Sequence, residues 1–179
     1  MAERADARTW MQRGLFVALA FLIVVLRLVP LDLRPPQWAA PDLLLAITLV
    51  WVARQPRYLP LPVIAILFLS ADLLFMRPPG LWTALVVILT ETLRHQHRDI
   101  RHMSLLGEWG TVAIGIVAVT VVNRLILTVA FAPLAPLGLT VMEMVTTILI
   151  YPVVALAAQF LLGISRTAPG EMDARGHRL

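Results

Sequence analysis

The chain has 179 residues, 59% of them hydrophobic and 15% charged, with a formal net charge of +4. Its mean hydropathy is +0.82; a water-soluble domain of this size has no interior able to hide so much apolar side chain, whereas a bilayer takes it as solvent. Cysteine is absent, which excludes disulfide frameworks, thiolate metal sites and cysteine nucleophiles, and lysine is absent too, so all 15 cations are arginines, most of them lying between apolar runs rather than in a nucleic-acid patch.

Six apolar runs follow in chain order, at 14–29, 38–53, 59–76, 79–93, 110–133 and 137–164. The second and fourth are short against the roughly 20 residues that cross a hydrocarbon core. Their ends snorkel, or their helices sit inside the bundle, or either is re-entrant. Turn chemistry parts the runs. Pro35-Pro36 precedes the second, Gln55-Pro56 the third, and Pro78-Pro79-Gly80 lies between the third and fourth. Pro133 and Pro136 part the last two. Proline lacks a backbone donor and disfavours helix in the residue before it. The first run has a basic flank but no small-x-small site after it; Arg27, Pro30 and Asp32 stand there instead, so it reads as a span and not a cleaved leader.

The arginines set an orientation. With the N-terminus inside and spans alternating, 11 arginines fall on the cytoplasmic side, against Arg34 and Arg77 outside and Arg27 and Arg124 within runs. The expected fold is therefore all-α and polytopic, with about six transmembrane helices and both termini cytoplasmic. Residues 1–13 read as a cytoplasmic N-terminal segment, 14–164 as the membrane domain and 165–179 as a polar cytoplasmic tail.

Ionisable groups inside a bilayer are costly, roughly 2.5–3.5 kcal/mol each at mid-depth, so those present are paired, interfacial or functional. Counting positions along each run puts Arg27, Asp42, Asp72, Arg124 and Glu143 in the outer half. The expectation is one intramembrane polar cluster of these five, with Asn123 beside it. Asp42 follows Pro41 and opens a run, so it also reads as a helix N-cap. After the fourth run, Arg94, His95, His97, Arg98 and Arg101 form a basic cytoplasmic loop together with His102. Its positive neighbours disfavour a metal site and suit anionic headgroups or a cytoplasmic partner. Trp10, Trp38, Trp51, Trp82 and Trp109 lie near run ends, as interfacial belts do. Gly14/Ala18 and Thr111/Gly115 have the small-xxx-small spacing of close helix contacts. No zinc-protease, nucleophile-elbow or phosphate-loop pattern is present, and the expectation is no catalytic residue, metal or cofactor.

The order Pro41-Asp42-Leu43-Leu44-Leu45, then Trp51, Arg54 and Pro56, resembles the second-helix region of the rod shape-determining MreD family. Asp72-Leu73-Leu74, then Pro79-Gly80-Leu81, resembles that family's next segment, with Pro78-Pro79-Gly80 where the family often has Pro-Leu-Gly. Arg94 fits its basic turn. The family-motif positions are thus Pro41, Asp42, Asp72, Pro79 and Gly80. The resemblance implies a bacterial inner-membrane, non-enzymatic scaffold of the cell-elongation complex that supports lateral-wall peptidoglycan synthesis and rod shape. It implies MreC as partner, and through it MreB and the elongation synthases, besides membrane lipids; self-association is left open, and nucleic acid is not implied. The family's helical arrangement is also similar to the substrate-binding subunits of vitamin transporters, so the alternative is a small-molecule-binding membrane subunit.

Overall fold

The computed structural model of the chain describes residues 2–29, 38–97 and 103–162. Within them the fold is all-α. In chain order the helices are α1 (Ala2–Leu28), α2 (Leu43–Arg54), α3 (Leu61–Leu74), α4 (Leu81–His95), α5 (Leu105–Val129) and α6 (Leu137–Leu162), with a short 3-10 turn at Pro56–Tyr58. Residues 2–13, read from sequence as a cytoplasmic N-terminal segment, are helical. Helix α1 runs unbroken from Ala2, because Ala, Glu, Arg, Met and Gln favour helix and no proline interrupts them. Hydropathy marks where lipid begins, not where the helix does.

Among the described residues, three helices are long and apolar enough to cross a membrane: Thr9–Leu28 of α1, all 25 residues of α5, and Leu137–Phe160 of α6. The other three have 12, 14 and 15 residues. At about 1.5 Å per residue these are roughly 18–22 Å long, short of a ~30 Å hydrocarbon core. Only 17% of the α5 window is buried, and Ile114, Leu125 and Val129 stand exposed along it. Such a continuous apolar face needs lipid rather than water as its neighbour.

Helix α2 is the centre. Every residue from Leu44 to Arg54 is buried, and the helix packs on α1, α4 and α6. Its Trp51 is fully enclosed and meets the Phe16 ring edge-on at 5.6 Å. This corrects the expectation of an interfacial Trp51. Distance from a run end sets the depth of a side chain, but not whether it faces lipid or protein. Trp10 and Trp38 are exposed, while Trp109 donates its Nε1–H to the Ile148 carbonyl at 2.9 Å. Of the two small-residue pairs, only one marks a close approach. A Cβ on Gly115 would lie 2.5 Å from Leu89 Cδ1 of α4, whereas one on Gly14 would meet nothing within 4 Å.

Helices α3 and α5 end in the same way. Met76 and Phe131 adopt left-handed backbone, with φ of 54° and 52°. Arg77 N–H then donates to the Asp72 carbonyl, and Ala132 N–H to the Leu127 carbonyl, closing each helix in a Schellman pattern. Gly80, with φ of 86°, turns the chain into α4. A Cβ there would meet no atom within 4 Å, so Gly80→Ala should cost only backbone strain, about 1–2 kcal/mol. The check is a lowered thermal midpoint in detergent with an unchanged helical spectrum.

Candidate functional site

The start of α2, α4 and α6 and the end of α1, α3 and α5 meet at one end of the bundle. Asp42 caps α2: its Oδ1 accepts from Leu45 N–H at 3.0 Å, and its own N–H donates to Thr147 Oγ1 at 2.8 Å. Arg27, in the last turn of α1, brings Nη1 to 3.7 Å from that Oδ1. Its Nη2 donates to Glu143 Oε1 at 2.6 Å. Arg77 approaches the same Oε1 at 3.8 Å. The guanidiniums of Arg27 and Arg77 both pack on the Phe75 ring, at 5.1 and 5.6 Å from its centroid. Three of the five expected residues thus meet through ions, and Arg77, read from sequence as a loop arginine, joins them.

Asp72 and Arg124 make different contacts. Asp72 is 1% exposed, and its Oδ2 accepts from Gly80 N–H at 3.1 Å, Thr83 N–H at 3.2 Å and Thr83 Oγ1 at 2.7 Å. It caps α4 from the neighbouring helix, because the first N–H groups of a helix have no partner of their own. Arg124 Nη1 donates to the Ala135 carbonyl at 3.1 Å and to Thr140 Oγ1 at 2.9 Å, and meets no carboxylate among the described residues. One cluster of five ions is therefore replaced by an ion-paired trio joined by Arg77, a helix cap and a separately held arginine. Beside them lies a cavity of about 290 Å³, walled by Asp42, Arg77, Asn123, Arg124, Glu143 and Thr147 with apolar side chains behind.

The opposite end holds a buried pair that the sequence did not single out. Arg54 closes α2 and Glu108 opens α5; their side chains are each 1% exposed and lie 3.1 Å apart, Nε to Oε1. Tyr151 donates its hydroxyl to the same Oε1 at 2.9 Å. Arg54 Nη1 donates to the Ala155 carbonyl and to Gln159 Oε1, at 2.9 and 3.3 Å. The available signal was an arginine and a glutamate of opposite sign at one depth, on helices of opposite direction.

The expected basic loop begins inside α4, whose last turn holds Arg94 and His95, and is tied to the bundle rather than wholly solvated. Arg94 Nη2 donates to the Leu59 carbonyl at 2.8 Å, and His97 Nδ1 lies 2.9 Å from the Ala53 carbonyl. His95 is exposed. Arg98, Arg101 and His102 lie outside the described residues, as do Arg34 and the tail from 165. Among the described residues no group of three or more His, Asp or Glu is arranged to hold a metal ion.

No family model, no curated protein and no solved structure matches the chain.

Proposed function

We propose that this chain is a multi-pass membrane scaffold of the MreD type, docking the single-span protein MreC within a bacterial cell-elongation complex. What supports the reading is one arrangement: the family-motif positions Asp42, Asp72 and Gly80 organise one end of the bundle, while Arg54 and Arg94 of the same resemblance lie at the other. Asp42 caps α2, Asp72 caps α4, and Gly80 supplies the left-handed turn between α3 and α4. The same end gathers Arg27, Arg77 and Glu143. It stands beside the exposed apolar faces of α5 and α1, so a partner helix lying in lipid could meet charge and apolar surface together.

In this reading all six helices pass the inner membrane with both termini cytoplasmic, and the ion-paired end faces outward. The basic end, with Arg94 and His97, faces the cytoplasm. Helices α2, α3 and α4 are completed by their capping turns and by local thinning of the bilayer. Enclosure of α2 by its neighbours removes its need to match lipid at all. The test is co-expression of the chain with MreC and affinity purification in a mild non-ionic detergent. Co-elution of MreC in near-stoichiometric amount is the expected result. Wash-out of an expressed, folded MreC from an expressed, folded bundle would overturn the proposal.

A further inference from the structure

Several donors in the cavity wall have no hydrogen-bond partner among the described residues, the buried Trp82 Nε1 among them, and two of them are adjacent on α5. Arg124 uses only Nη1, on Ala135 and Thr140, so Nε and Nη2 have no partner among the described residues. The Asn123 side-chain amide, beside it, makes no hydrogen bond there either. In a chain solvated by lipid, open donors are expensive unless a polar group meets them. The wall's carboxylates do not do so. Asp42 accepts from Leu45 and faces Arg27, and Glu143 is held by Arg27 and Arg77. Among the described residues, three guanidiniums thus stand with two carboxylates, and Arg124 is the one that meets neither. Asp72, at the same end of the bundle, is outside the wall, and its Oδ2 is taken up by the start of α4.

Apart from these groups, the Thr120, Thr140 and Thr147 hydroxyls and the Trp82 indole N–H, the wall is apolar, with Leu45, Leu81 and Ile116 among its members. A free anion gains nothing from such a surface; an anion carried on a hydrocarbon tail does. At about 290 Å³ the space is at the small end of ligand cavities, roughly 300–1,000 Å³, enough for a headgroup but not for a whole lipid. We propose that this cavity binds the phosphate of an anionic lipid headgroup, with Arg124 and Asn123 as its donors and the lipid's chain leaving along the apolar wall. A guanidinium with two free nitrogens is suited to two phosphate oxygens at once. The proposal is independent of whether the chain docks MreC.

The experiment is native mass spectrometry of the full chain released from nanodiscs containing equal phosphatidylglycerol and phosphatidylcholine. One retained phosphatidylglycerol is expected, favoured over phosphatidylcholine by about tenfold, as for a desolvated charge contact. Arg124→Gln should lower that ratio about fivefold or more, and Arg124→Lys should keep most of it. Arg57→Gln, at the other end of the bundle, should leave it unchanged. Asn123→Leu, which spares the Arg124 contacts to Ala135 and Thr140, is read in parallel and decides the matter should Arg124→Gln not fold. Equal retention of the two lipids, or an undiminished ratio in the folded variants, overturns the proposal. So does displacement of the lipid by millimolar inorganic phosphate, which would assign the site to a free anion.

Discussion

Glu108→Leu is expected to destabilise the bundle by about 3–5 kcal/mol, the usual loss when one member of a buried ion pair is removed. The magnitude comes from what is left behind. Arg54 would keep its charge with a side chain 1% exposed, facing, among the described residues, the Ala155 carbonyl and the Gln159 amide oxygen. The Tyr151 hydroxyl would lose the oxygen it donates to. Glu108→Gln should separate these losses: its amide oxygen still serves Tyr151, but nothing balances Arg54. A result close to that of leucine would assign most of the effect to charge. The double replacement Arg54→Met with Glu108→Leu removes both ions and should recover a large part of the stability, since well-packed apolar pairs often equal a buried salt bridge. With Arg54→Met alone added, thermal and denaturant midpoints of wild type, Arg54→Met, Glu108→Leu and the double variant in one detergent complete the cycle. Strictly additive losses would mean the two groups do not act as a pair.

That pair also shows what a linear reading can and cannot reach. The apolar runs located all six helices, because lipid-facing and protein-facing positions alike must be apolar and the run length records both. The last run and α6 begin at the same residue, Leu137. The second run began at 38 while α2 begins at Leu43, because Pro41 and Asp42 form its cap rather than its first turn. The same uniform apolarity hid the faces. On α5, Ile116 is 1% exposed and Ile114 73%, with no difference in side chain to announce it. Arg54 sat beside Pro56 and Arg57 and so looked like a loop cation; its counter-ion is 54 residues away. Arg77 was read in the same way, yet it leans over Phe75 and Trp82 toward Glu143. Charge counting along a chain gives sides and depths. It gives no partners, because partners are fixed by which helices touch.

Asp72→Leu should be the second severe change, costing roughly 2–3 kcal/mol, as expected when buried donors lose a charged acceptor. Three donors depend on one oxygen: Gly80 N–H, Thr83 N–H and the Thr83 hydroxyl all go to Oδ2. Oδ1 is buried and meets no donor among the described residues. Asparagine carries one carbonyl oxygen, which is all that this geometry uses, so Asp72→Asn should retain most of the stability that leucine loses. This contrast separates a cap from a recognition group. If the carboxylate only caps α4, Asp72→Asn keeps both the thermal midpoint and the capture of MreC in the co-purification. Normal stability with lost capture would instead mean that the negative charge at the start of α4 is read by the partner. A large loss of stability in both variants would show that the charge, and not the acceptor oxygen, holds α3 to α4.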